Sequence, residues 1–510
     1  MATRKRFALN VGMNWISMAV GMVVPFFLTP FVVRHLGTDA YGVWILAVST
    51  VSYLNLLDLG LRSAIIRYVS KGQTEGKDDE AQSAIGAALW FRLLVAVGVA
   101  GLSIALALAF PHLFKIPPDL QHAGQVTVLL CALGVAISLL SGVFGGVLSA
   151  ISRFDILSSI TVGQTLARAI GVILILRSGR GLISLAYWEL IVILLCGLTT
   201  CFSALKLYPP CRVRLGRPDL ITLKKIWAYS FKTFIIIVAV QIVFYTDNLV
   251  VGAFVSVGAV ALYSIAGSLA LQAGQVASAM GATFIPMASN LDAAGRSKDL
   301  QKLLLRGTQA SLGLMLPVGL TLLLRGKTFI ALWMGPQFDS KTSGAILEIL
   351  LLSQFFTIAN ATAGQIAYGV DKHKTVAYWS AVEAVFNLGL SIVLVKTIGI
   401  YGVAWGTSIS QVIIHFIFWP RYVKKELDVP IQQYLWEGWT KITLCSIPFG
   451  IACVLVDKYW HAGSKTMFFG QVLATLPAYA LGVAVIFRKV IITLFQEWKA
   501  SRLAGAQTAS

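Results

Sequence analysis

The sequence predicts an all-α protein that threads a membrane fourteen times, with its first twelve spans arranged as two parallel six-helix repeats. Three observations carry that reading. The 510 residues are 57% hydrophobic and only 12% charged, with a mean hydropathy of +0.79, whereas an ordinary soluble domain carries about 25% charged residues. Fourteen apolar stretches each approach the about 17 to 25 residues that a helix needs to cross about 30 Å of hydrocarbon. The starts of the first six recur in the next six at an offset of 219 or 220 residues.

Span one, Ala8 to Val33, follows Arg4-Lys5-Arg6 without an Ala-x-Ala cleavage site, so it reads as a retained span rather than a signal peptide. Its Pro25 and Pro30 remove backbone donors and bend the helix, which makes them candidate hinges. Span two, Ala40 to Leu61, carries Asp58 near its end. Spans three (Ala84 to Phe110), four (Gln125 to Ala150) and five (Ile156 to Leu176) bring in Arg92 and Arg168, and span six (Leu182 to Leu205) brings in Glu189. The second half repeats the order with Trp227 to Gly252, Val260 to Ala288, Leu303 to Leu324, Ala345 to Val370, Thr375 to Val395 and Gly402 to Trp419. Thr440 to Val456 and Met467 to Phe487 lie outside the repeat.

The expected organisation is an N-lobe over residues 1–205, a basic cytoplasmic linker over 206–226 and a C-lobe over 227–423. An appendix of two helices (424–488) and a cytoplasmic tail (489–510) complete the chain. Side chains repeat weakly as well: Gly37, Tyr41, Gly42 and Trp44 align with Ser256, Val260, Ala261 and Tyr263. Six is even, so both halves share one orientation. Parallel repeats of this kind are related by a pseudo-two-fold axis along the membrane normal, with a central cavity between the lobes near the midplane.

The formal net charge of +19, from 41 Lys and Arg against 22 Asp and Glu, would suggest nucleic acid in a soluble protein. Here most basic residues fall in the segments on the N-terminal side of the membrane, which the positive-inside rule makes cytoplasmic. Both termini are then cytoplasmic. The densest cluster, Lys206, Arg212, Arg214, Arg217, Lys224 and Lys225, orients the chain and touches anionic lipid headgroups, or meets a substrate headgroup or partner directly. No nucleic-acid recognition motif accompanies it. The six cysteines form no Cys-x-x-Cys pair, so no metal site is expected. No Gly-x-x-x-x-Gly-Lys-Ser/Thr occurs, so ATP is not the expected energy source.

A charged side chain at the bilayer centre costs about 2.5 to 3.5 kcal/mol on insertion scales, so each needs a partner or a watery cavity. Asp58 and Arg62 stand at i and i+4, the favourable order for an intrahelical pair at the membrane boundary. Alternatively, Arg62 and Arg67 line the inner mouth of a cavity, where guanidinium forks catch phosphate oxygens. Arg92, Arg168 and Lys232 lie deeper, with Glu189 and Glu383 as candidate partners. Asp247 interrupts an apolar span within Tyr245-Thr246-Asp247-Asn248. It serves either an interhelical hydrogen bond or coupling to a proton or cation.

The stretch Pro30 to Trp44, with Leu57-Asp58-Leu59-Gly60-Leu61 and Arg67 after it, resembles the opening signature of Wzx-type polysaccharide flippases. Asp247, the Tyr263 region and Leu332-Trp333-Met334-Gly335 resemble the second half of the same family, which belongs to the multidrug/oligosaccharidyl-lipid/polysaccharide exporter superfamily. The resemblance implies movement of an undecaprenyl-diphosphate-linked oligosaccharide (an O-antigen, exopolysaccharide or capsule repeat) from the inner to the outer leaflet of a bacterial inner membrane by alternating access. It further implies a cationic cavity, in which Arg62, Arg67, Arg92, Arg168 and Lys232 are the candidate ligands of the diphosphate. Asp247 is the candidate coupling residue for a proton or sodium gradient, alongside the membrane potential. The expected partners are the lipid-linked substrate, membrane lipids and polysaccharide polymerase or export machinery, with the chain itself acting as a monomer.

Drug-extruding relatives usually have twelve spans, and some lipid II flippases carry arginines deep in span one, where this chain has only Arg34 at the outer end. A membrane glycosyltransferase or polymerase would need a large outer loop with catalytic groups, but the longest here runs from about Arg325 to Gly344. A major-facilitator transporter would show a basic Gly/Asp/Arg motif between spans two and three, which is missing from Ser70 to Glu80. An even number of spans makes a simple prediction. A C-terminal alkaline phosphatase fusion should be inactive and a green fluorescent protein fusion bright; the reverse pattern would refute the topology.

Overall fold

The computed structural model describes residues 2–58, 60–76, 78–211, 238, 241 and 245–488. Among the described residues there is no strand, and thirteen helices are long and apolar enough to cross a membrane. The seventh expected span, Trp227 to Gly252, lies mostly outside the described residues, as do Lys232 and most of the basic linker. The helices are α1 (Ala2–Leu36), α2 (Thr38–Ser52), α3 (Leu61–Glu75), α4 (Asp78–Leu113), α5 (Pro118–Ala150), α6 (Phe154–Arg177) and α7 (Leu182–Leu207). They continue as α8 (245–254), α9 (Val257–Ala293), α10 (Ser297–Met334), α11 (Ser340–Gly369), α12 (Lys374–Ile398) and α13 (Ile400–Leu427). Two more follow, α14 (Ile431–Tyr459, with a π-helical stretch at Tyr434–Thr440) and α15 (Lys465–Ile486). Large apolar side chains such as Leu174, Leu473 and Val485 stay exposed on these helices, as lipid-facing surfaces require.

The chain forms two compact units, Met1–Ser264 with Leu388–Val403, and Ile265–Asn387 with Ala404–Ser510. In the first unit α5 packs against α2, α3, α4 and α7. Its core is built from Ile65, Val69, Ile85, Val143 and Val147, with small residues such as Gly146 admitting the neighbouring Ile65. At the far end of α7, the Tyr208 hydroxyl donates to Asp78 at the start of α4 (3.0 Å). Burial pushes that phenol up to about 12.

The sequence repeat reappears in this unit as a packing contact. Gly37, at φ +83°, supplies the turn from α1 into α2. One turn later, Gly42 lies so close to the start of α9 that a Cβ there would overlap the Val257 carbonyl. The offset of 219 maps Asp39 onto Gly258, and a Cβ on Gly258 would stand 2.5 Å from the Asp39 carboxylate. Equivalent helix starts of the two halves therefore meet in one seam. Lys115, before α5, joins it by donating through its amide to Gly252 (3.2 Å) and through its ammonium to Phe254 (2.6 Å).

In the second unit, Leu304, Leu312, Ile358, Ile366, Trp419 and Tyr434 share one core. Asp339 caps α11 by accepting from the Thr342 amide (3.0 Å), and its hydrogen bonds from Thr342 hold the carboxyl below the ordinary range. The two helices outside the repeat are docked by Arg325 of α10, which is 1% exposed. Its Nε donates to Asp457 of α14 (3.2 Å), its Nη2 to the Gln471 amide oxygen of α15, and its guanidinium lies 4.6 Å from the Phe468 ring centre. Tyr479 of α15 adds a hydrogen bond to the Gly313 carbonyl (2.9 Å). Arg325→Ala should cost about 1 to 3 kcal/mol by stranding these acceptors, and Arg325→Lys should recover only part, because an ammonium lacks the fork. Thermal unfolding in detergent checks this; an unchanged midpoint for Arg325→Ala would refute the docking role.

Candidate functional site

The first group of site residues depends on a helix break. α2 ends at Ser52, a 3-10 turn covers Tyr53–Asp58, and Gly60, at φ +73°, restarts the chain as α3. Asp58 and Arg62 are thus not on one continuous helix, and the expected intrahelical pair is replaced by a tertiary one. Asp58 is paired with Arg92 of α4. Arg92 is 2% exposed, and its Nη1 also donates to the Leu139 carbonyl of α5 (2.6 Å). Gly142 makes that approach possible, since a Cβ there would stand 2.5 Å from Nη1.

Arg62 occupies the next position outward. Its side chain is exposed at the start of α3, and Nη2 donates to the Ser149 hydroxyl (3.3 Å), which in turn donates to the Gly145 carbonyl (2.9 Å). Arg67 is exposed on the same short helix. The arrangement sets a buried, neutralised guanidinium behind exposed ones. An exposed guanidinium fork such as that of Arg62 can take phosphate oxygens.

Arg168 is differently placed. Its Nε and Nη2 both engage the Glu189 carboxylate, with Nε at 2.7 Å from Oε2, so the fork of α6 is closed on α7. The adjacent Trp188 donates to the Ala167 carbonyl (3.1 Å), and its indole lies where a Cβ on Gly171 would be. Glu189 thus pairs with Arg168, whereas Glu383, the other acid expected to meet a deep cation, stands 3.7 Å from His415. Lys232 lies outside the described residues.

The polar break around Asp247 is held at three points. The Thr246 hydroxyl shares a 2.5 Å hydrogen bond with Tyr53, Asn248 donates to the Ser49 hydroxyl (3.1 Å), and Asp247 Oδ2 accepts from Tyr263 of α9 (2.6 Å). Asp247 and Tyr263 are both buried. A hydroxyl at that distance fits a charge-assisted bond to a carboxylate. Ser49, Tyr53 and Ser149 carry no distinguishing sequence signal; their roles come from where α2, the 3-10 turn and α5 place them.

The candidate hinges lie between two fixed points. α1 stays helical through Pro25 and Pro30, with the Thr29 hydroxyl donating to the Pro25 carbonyl (2.8 Å). Toward its N-terminal end, the Asn10 amide donates to the Ser152 carbonyl (3.0 Å) and accepts from the Asp155 amide (2.9 Å). Its other end is the Gly37 turn.

A family model described as "Polysaccharide biosynthesis protein" matches residues 31–343. The chain is 24% identical over 440 residues to "Uncharacterized membrane protein EpsK" of Bacillus subtilis (strain 168), covering 82% of this chain and 83% of that one. It is 23% identical over 404 residues to a Shigella flexneri protein named "Putative O-antigen transporter", covering 75% of this chain and 90% of the other. A solved lipid II flippase MurJ, in an inward closed conformation, superposes with a TM-score of 0.76 over 95% of this chain and 100% of its own, at 18% identity. That likeness shows the fold. The Asp58–Arg92 pair can be tested on stability alone. Asp58→Asn and Arg92→Gln should each cost about 3 kcal/mol by leaving a buried partner unneutralised, and the double variant should lose about 1 to 3 kcal/mol less than their sum. Strictly additive losses in thermal unfolding would refute the pairing.

Proposed function

Because the chain belongs to the polysaccharide biosynthesis protein family, a family of transporters rather than enzymes, we propose that it flips an undecaprenyl-diphosphate-linked oligosaccharide outward across a bacterial cytoplasmic membrane. The observation that carries this reading is the exposed Arg62 guanidinium, braced by Ser149 beside the buried Arg92–Asp58 pair. Arg62 and Arg67 bind the diphosphate directly. Arg92 and Arg168, whose forks are occupied by acids, position the surrounding helices, and Lys232 completes the candidate set. The polyprenyl tail stays in lipid while the headgroup crosses.

Alternating access fits the seam where α2 meets α9, which must part for release on the outer side. Pro25 and Pro30 give α1 the compliance to follow. A diphosphate with about two negative charges moving outward down an inside-negative potential gains about 2.3 kcal/mol per charge per 100 mV. The potential thus supplies a driving force without ATP, and a proton or sodium ion entering through Asp247 adds to it. Both termini face the cytoplasm, and the monomer hands its cargo to a polymerase or export complex.

The decisive experiment deletes the gene and identifies what accumulates. A lipid-linked oligosaccharide should build up on the cytoplasmic leaflet, and Arg62→Gln should fail to complement at normal protein level. Accumulation of a peptide-bearing disaccharide would shift the cargo to a lipid II-type carrier. An unchanged lipid pool accompanied by drug sensitivity would overturn the reading in favour of drug export.

A further inference from the structure

The second unit contains a buried acid–base pair that the substrate site does not use. Glu383 lies nine residues into α12, about 14 Å along the helix axis at 1.5 Å per residue. His415 lies twelve residues before the end of α13, about 18 Å by the same rise. Glu383 falls near the middle of its expected span (Thr375 to Val395), and His415 lies four residues inside the end of its own (Gly402 to Trp419). The imidazole Nε2 stands 3.7 Å from the Glu383 carboxylate, and the two side chains are 11% and 12% exposed.

The surroundings fix the imidazole. From α11, the Asn360 amide nitrogen donates to the His415 carbonyl (3.1 Å) and stands 3.5 Å from Nδ1. From α14, the Tyr434 hydroxyl donates to the Asn360 amide oxygen (3.0 Å). On α13 itself, Trp419 stacks at 6.3 Å between ring centres. The two Asn360 amide hydrogens go to the Phe356 (2.8 Å) and His415 carbonyls, and Nε2 is the ring nitrogen that faces the Glu383 carboxylate. Among the described residues no lysine, arginine or second acid forms an ion pair with either group.

Proton counting then decides the state of the pair. With no proton beyond the neutral imidazole, the pair carries one negative charge; with one more it is neutral; with two it is positive. A low-dielectric interior penalises both charged forms, so the pair retains one proton and releases it only where water reaches the carboxylate. The 3.7 Å separation is beyond hydrogen-bonding distance, so the two groups interact through charge. Through Asn360 and Tyr434, the charge of the pair acts on the packing of α11, α13 and α14.

We propose that Glu383 and His415 form a one-proton site in the second unit, a point of proton coupling separate from Asp247. Its coupling role rests on the flippase reading; its protonation does not. The proton enters from water on one side onto the carboxylate and leaves to water on the other, with no other bond made or broken.

Infrared difference spectra of the purified full chain in lipid nanodiscs, between mildly acidic and mildly alkaline pH, test the protonation. A protonated-carboxyl carbonyl band should appear in the wild type, vanish in Glu383→Gln and move to a different titration midpoint in His415→Asn. A spectrum unchanged by Glu383→Gln overturns the proposal. In proteoliposomes holding lipid-linked oligosaccharide, an imposed pH gradient at zero potential should accelerate flipping by the wild type. Glu383→Gln should lose that acceleration and keep flipping driven by potential. Gradient acceleration that survives in Glu383→Gln, or a wild type indifferent to the gradient, overturns the coupling. If no cargo moves under any gradient, the flippase reading fails, while the infrared band still decides whether the pair holds a proton.

Discussion

Neutralisation of charge inside an apolar medium governs how this protein is assembled. A helix that carries a charged side chain into hydrocarbon is destabilised unless a neighbouring helix supplies the counter-charge or a full set of hydrogen bonds. Arg92 finds Asp58 and the Leu139 carbonyl, Arg168 finds Glu189, and Arg325 finds Asp457 and Gln471. Each partnership joins different elements. The same groups that would be costly alone fix which helices are neighbours and at what rotation.

This requirement also separates binding groups from bracing groups. A guanidinium already closed on a carboxylate is a poor first ligand for an incoming anion, because the acid must be displaced. Arg92 and Arg168 are of that kind. Arg62, which donates to the Ser149 hydroxyl, is exposed, so its fork can meet oxygens arriving from outside the protein. The polar groups around Asp247 show a similar economy, with Thr246 engaged by the 3-10 turn, Asn248 by α2 and the acid itself by Tyr263.

The internal duplication has a structural counterpart in the seam where α2 and α9 begin. Gly42 permits a backbone approach that any side chain would block, and Gly258 leaves room for the Asp39 carboxylate. The departure of Gly258 from its equivalent Asp39 is explained in the same way, since the aspartate side chain occupies the space a Cβ on residue 258 would need.

The sequence by itself determined the fold class, thirteen of whose membrane helices are described, because apolar length and period are local properties that survive without knowledge of neighbours. It determined that charges such as Arg92, Arg168 and Asp247 had to be satisfied within the membrane. It could not determine their partners. The i, i+4 spacing of Asp58 and Arg62 suggests an intrahelical pair, but the Gly60 turn breaks the helix and turns Asp58 toward Arg92. Glu383 is equally available on paper to any buried arginine, and only the packing of α12 on α13 places it beside His415. Pairing across helices depends on their relative rotation and depth, which the summed packing of the whole unit sets, so it becomes legible only in the tertiary structure.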